Sequence, residues 1–151
     1  MENKSIYRTI AILSLICLIF AVLIYSEEAQ YSQHQNNFCS ALTGSNGCET
    51  VQTSSYGKIF GIDNSVYGII GFTALGIFSL ILSIQKQKKN KILEILTIAG
   101  GIIAGLTALT FLYIQAFILH TYCIFCLVVD TCSLMILGLT IYLLTKKGKH
   151  K

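Results

Sequence analysis

The chain has 151 residues, 54% of them hydrophobic and only 12% charged, with a formal net charge of +4 and a mean hydropathy of +0.67. So many apolar residues with so few charges exclude an ordinary soluble domain and point to a small polytopic membrane protein. The basic balance is not a nucleic-acid footprint, because its lysines stand beside apolar runs where membrane topology accounts for them, and no nucleic-acid partner is expected.

Crossing the hydrocarbon takes about 20 mostly apolar residues. The first such run is 6–25, with Lys4 before it and Arg8 at its start. A basic start before an apolar run can also be a secretory signal, but this run is long for one, and no small-x-small cleavage site comes before Ser26-Glu27-Glu28; a retained helix is expected. A long loop, 26–65, follows, carrying Glu27, Glu28, Glu49 and Asp63 against a single lysine, Lys58. The second and third spans, 66–84 and 92–119, are joined by a hairpin rich in lysine (Lys86, Lys88, Lys89, Lys91). The turn around His120 to Tyr122 has no Lys or Arg, and the fourth span, 124–144, is followed by Lys146, Lys147, Lys149 and Lys151. By the positive-inside rule both termini and the 86–91 hairpin are cytoplasmic, and the long loop and the 120–122 turn face outward. The expected fold is an all-α membrane protein: a single domain over 1–151, a four-transmembrane-helix bundle whose long outer loop carries a short capping helix between helices 1 and 2. Without proline, no span has a proline kink.

Six cysteines punctuate this plan. Cys17 and Cys132 lie within spans among apolar neighbours and read as small packing residues. Cys39 and Cys48 flank the turn-forming stretch Ser40 to Gly47 in the outer loop and can close a small disulfide ring, which in an oxidising compartment is either a structural staple or a redox pair. Cys123-Ile-Phe-Cys126 opens the fourth span, which places both thiols in the first helical turn, where the helix N-terminus favours a thiolate. His120 can add positive charge beside it. A membrane-edge dithiol beneath a second cysteine pair suits electron transfer between soluble thiols and an acceptor dissolved in lipid. A four-cysteine zinc site is the competing reading; zinc ribbons usually supply two close-spaced knuckles, the Cys39/Cys48 pair is wider, and no metal is expected. Asp130 lies one helical turn below Cys126, and a carboxyl inside a span is a functional candidate; the alternative is a buried hydrogen bond. Glu94 reads as interfacial.

From Cys48 onward the chain reads Cys48-x-x-Val51-x-x-Ser54, then Phe60-Gly61-Ile62 and Asn64-Ser-Val-Tyr-Gly68. This pattern resembles the vitamin K epoxide reductase family, and so does the order of four spans, a loop cysteine pair between the first two, and CxxC opening the fourth. The other family of quinone-linked thiol oxidases carries its CxxC in the first outer loop instead. By position, the resemblance implies that Cys39 meets the partner, Cys48 exchanges with Cys123, and Cys126 faces a quinone of the menaquinone, ubiquinone or vitamin K type. It also implies that Ser54 is the family's loop serine and that Asn64 hydrogen-bonds the quinone. A half-buried helix over Thr50 to Gly61 is expected to cap the quinone pocket, with Phe60 on its apolar side and Asp130 as a further polar contact. Asp63 stands where bacterial relatives commonly have proline, and Asp130 where animal enzymes have tyrosine, which weighs against epoxide reduction as the main reaction.

The function expected is a thiol:quinone oxidoreductase of a bacterial cytoplasmic membrane, its partners a thioredoxin-like redox protein on the outer side, a membrane quinone and membrane lipid. No thioredoxin-sized domain accompanies the spans, so the dithiol donor is expected to be a separate protein. Two alternatives stand beside this reading: a vitamin K epoxide or quinone reductase of an endoplasmic reticulum membrane, and a non-enzymatic four-helix membrane subunit with structural disulfides or zinc.

Overall fold

A computed structural model describes residues 2–31, 50–51, 53–85 and 90–148. Four long helices dominate it: α1 (Glu2–Tyr31), α2 (Asn64–Ile84), α3 (Lys91–Tyr113) and α4 (Ile124–Gly148). Each is long and apolar enough to cross a membrane, in spans of 21 to 28 residues, the longest carrying α3 on to Ile118, at or above the minimum of about 20. The chain is an integral, multi-pass, all-α membrane protein.

Its pattern of burial is the reverse of a water-soluble bundle. Large apolar side chains point outward along every helix, among them Leu15, Ile70, Ile103 and Met135, all more than half exposed. The helix contacts bury a smaller apolar cluster that includes Ile10, Leu75 and Ile136, and with it a set of hydroxyls: Ser14, Ser79, Thr97, Ser133 and Thr140. Three of these return their hydroxyl to the carbonyl one turn earlier on the same helix, Ser14 to Ile10 (2.8 Å), Thr97 to Leu93 (2.8 Å) and Thr140 to Ile136 (2.7 Å). In lipid, apolar burial gives helices little reason to associate, and small residues that let backbones approach take over. The α3–α4 seam follows this rule. A methyl group added at Gly105 would sit 2.5 Å from the Cβ of Leu137, and one at Gly101 would collide with Thr140.

α1 packs along α2 and α4, and α3 along α4, whereas α2 and α3 meet more sparsely. The end of the bundle holding Lys4, Arg8, Lys91 and Lys146 contains one further buried polar pair, the Tyr7 hydroxyl donating to Glu94 Oε1 at 3.2 Å. Glu94, in the first turn of α3, is buried against α1, where a hydrogen-bonded carboxyl ties two helices.

At the opposite end the chain is more irregular. Thr50, Val51 and Thr53 are helical, but the helix does not run on to Gly61 as the sequence suggested. The Ser54 hydroxyl folds back on the Val51 carbonyl (2.7 Å), and the chain turns into a hairpin of β1 (Lys58–Ile59) and β2 (Ile62–Asp63). Its two-residue loop, Phe60-Gly61, has φ of +53° and +80°, the left-handed pair that a type I′ hairpin turn requires. Lys58 and Asp63 face each other across the strands in an ion pair of 3.1 Å. At the same end α3 loosens into a π-helical turn, Ile114–Ile118, closed by Leu119 N–H donating to the Ile114 carbonyl at 2.9 Å. His120, at φ +48°, then reverses the chain into Cys123 and α4.

Candidate active site

Between the loosely packed α2 and α3, and bounded by α4 and the 51–57 segment, lies a cavity of about 530 Å³, within the range of sites that bury a small organic ligand. Small residues hollow it out: Gly68, Gly71 and Ala74 on α2 face Gly100, Ala104 and Ala108 on α3. A methyl placed on Gly71 would meet nothing within 4 Å. Phe72, Phe78 and Phe111 supply flat aromatic walls. Gly71 and Ile103 line the cavity yet are themselves exposed on the bundle's flank, so it opens sideways, at mid-span, where lipid would lie.

Cys126 lies on the cavity wall. Cys123 does not: it is fully buried behind, packed with Val51 and Phe125 and flanked by Phe20, Ile24 and Leu119. The two sulfurs approach to 2.8 Å, the Cys126 thiol donating to Cys123, and the Cys126 N–H also points at the Cys123 sulfur (3.3 Å). That thiol and the N–H groups of Cys126 and Phe125 favour a thiolate and hold the Cys123 pKa below an ordinary thiol's, outweighing burial and the nearby Glu27 carboxylate. His120 is exposed and is not among these stabilising groups.

Asp130 lines the same wall one turn below Cys126. Its carboxyl is buried and accepts a hydrogen bond on Oδ2 from Gln115 Nε2 at 3.3 Å. The other end of that amide, Oε1, accepts the Cys123 N–H at 3.0 Å. Sequence reasoning passed over Gln115, although a lone amide in the third span is the same kind of signal as a lone carboxyl in the fourth.

Asn64 and Ser54 are both on the wall near the hairpin. Asn64 is also the keystone of the local turn: its Nδ2 donates to the Tyr56 carbonyl (3.0 Å) and its backbone N–H to the Gly57 carbonyl (3.0 Å), leaving Oδ1 for the cavity. Phe60 does not belong to the cavity. Its ring is 97% exposed at the hairpin tip, because the turn at Phe60-Gly61 reverses the chain before the ring can face inward, and Tyr56 and Gly57 line the wall in its place. Cys39 and Cys48 lie outside the described residues.

A comparison with protein families matches residues 8–141 to the Vitamin K epoxide reductase family. The chain belongs to that family. Comparison with curated proteins gave no match. Members of the family are oxidoreductases linked to quinones or vitamin K. The cavity fits such a ring: apolar and aromatic over most of its wall, with a cysteine sulfur, an amide and a carboxyl gathered at one end.

Proposed function

We propose that the chain is a quinone-dependent thiol oxidase that drives disulfide formation on the outer side of a bacterial cytoplasmic membrane, with its lysine-bearing end in the cytoplasm. The observation that carries this reading is the division of labour within the dithiol: Cys126 forms part of a ligand-sized apolar cavity, while Cys123 sits behind it as the stabilised thiolate, under Val51 of the outer loop.

The cycle begins at the loop. A reduced dithiol on a thioredoxin-like partner attacks the Cys39–Cys48 disulfide at Cys39, forming a mixed disulfide that the partner's second thiol resolves. Cys48, released as a thiol, attacks Cys123 of the Cys123–Cys126 disulfide. Cys39 then attacks Cys48, which restores the loop disulfide and leaves Cys123 and Cys126 reduced. A bound quinone supplies the sink for the two electrons and two protons of that dithiol. Cys126 delivers the electrons from the cavity wall, Cys123 closes the disulfide behind it, Asn64 and Asp130 hydrogen-bond the ring oxygens, and the Val51 to Gly57 cap keeps bulk water from the sulfurs.

In purified protein given a dithiol donor and a quinone, wild type is expected to produce hydroquinone. Cys126→Ser should abolish this, while its Cys123 thiolate attacks Cys48 of the Cys39–Cys48 disulfide and releases Cys39 as a thiol, so that a Cys48–Cys123 linkage accumulates and is found by mass spectrometry of non-reduced peptides. Undiminished quinone reduction by Cys126→Ser would sink the reading.

A further inference from the structure

We propose that Gln115 is a positioning residue that makes Asp130 the proton carrier between Cys126 and one oxygen of the bound acceptor. The inference rests on the quinone reading above.

The peptide N–H of Cys123 precedes the first turn of α4, so no carbonyl of its own helix can receive it. It can only donate, and the group it meets is Gln115 Oε1 at 3.0 Å. The amide's orientation is thereby fixed. With Oε1 committed, Nε2 must face the other way, and there it donates to Asp130 Oδ2 at 3.3 Å. An oxygen that accepts from an amide N–H is the poorer place for a carboxyl proton, so a proton on Asp130 sits on Oδ1, the oxygen left for the cavity. One backbone group thus decides which carboxyl oxygen can exchange protons with a ligand.

Two further features set this apart from ordinary helix capping. Gln115 is wholly buried, and it occupies the π-helical turn Ile114–Ile118, where the added residue per turn swings its side chain between α3 and α4. Such turns are rare and gather at functional sites. A cap needs only Oε1; the second bond, to a carboxyl on the wall that also holds Cys126, exceeds what capping requires.

The chemistry balances as follows. Cys123 thiolate, Cys126 thiol, quinone and one proton from outer water become the Cys123–Cys126 disulfide and hydroquinone, with two electrons passing from sulfur to the ring. Asp130 gives the proton on its Oδ1 to the nearer ring oxygen and takes the proton of Cys126 Sγ in its place. The remaining oxygen takes its proton from outer water, on the Asn64 side of the cavity. Asp130 ends the step as it began.

The test uses full-length protein in lipid nanodiscs. Single-turnover oxidation of the reduced dithiol by a quinone should fall about 100-fold or more in Asp130→Asn, the scale of a lost general acid–base group, with little change in the quinone concentration giving half-maximal rate. Gln115→Met should fall comparably, and the double variant should be no slower than Asp130→Asn alone, because both changes remove one device. A readout without quinone accompanies this: the reduced-minus-oxidised infrared difference spectrum should contain a carboxyl C=O band that vanishes in Asp130→Asn and shifts in Gln115→Met. If Gln115→Met does not fold, the isosteric Asp130→Asn carries the test on its own. An Asp130→Asn rate equal to wild type, effects of the two changes that multiply, or a difference spectrum with no carboxyl band would each overturn the inference. Wild-type protein that oxidises its dithiol with no quinone overturns the underlying quinone reading instead.

Discussion

Cys123 carries the most consequential local chemistry among the described residues. It has no exposure to solvent, yet a neighbouring thiol and two peptide N–H groups favour its thiolate, so it is reactive because of what surrounds it and protected because of where it lies. The largest of these influences is the Cys126 thiol. For a group whose pKa is depressed, the charged form persists above that pKa and is lost as pH falls through it. The ultraviolet absorbance of the reduced protein should therefore show a thiolate that titrates below the ordinary thiol value of about 8.5. In Cys126→Ala the midpoint should move up, and a Cys126→Ala midpoint unchanged from wild type would show that the peptide groups alone suffice. Glu94 likewise owes its setting to what surrounds it: a partner eighty-odd positions earlier in the chain, Tyr7, holds it inside the bundle, and long-range pairs of that kind leave no local trace.

Among the elements, α3 does two jobs with two kinds of residue. Gly101 and Gly105 bring it tightly against α4, while Ala104 and Ala108 on a neighbouring strip leave room for the cavity. The seam and the cavity wall should respond in opposite ways to one added methyl. Gly105→Ala meets Leu137 Cβ, an atom fixed to the α4 backbone, so the helices must separate; a loss of about 1–3 kcal/mol is expected, seen as a lower thermal midpoint in detergent. Gly71→Ala, facing open space on α2, should leave that midpoint near wild type and instead weaken quinone binding. Equal destabilisation by both would contradict the seam. The helices themselves were legible in the sequence because length and apolarity suffice to identify them. The hairpin was not: Gly57 precedes it and Gly61 stands in its loop, but the apolar Ile59, Phe60 and Ile62 suit a buried helix as well as a strand, and only the left-handed pair at Phe60-Gly61 decides.

Over the whole molecule, the sequence exposed the site's cysteine motif more readily than its walls. CxxC at a helix start and a carboxyl within a span are local signals, and both lie on or against the cavity. The glycines and alanines that make the cavity are silent individually, since the same residues serve tight packing elsewhere, and which role each plays depends on the spacing of α2 from α3. That spacing governs more than capacity. A site open on its flank, at mid-span, draws its ligand from the bilayer, so the concentration that matters is molecules per lipid and not per litre. At fixed protein and fixed total quinone, adding empty lipid should slow turnover in proportion to the dilution, while adding buffer should not. Turnover that followed aqueous volume instead would mean the ligand enters past the hairpin from the water side. For the thiol oxidase proposed above, the supply of disulfides would then follow how crowded the membrane is with quinone, so a change in lipid synthesis alone would alter the rate at which exported proteins are cross-linked.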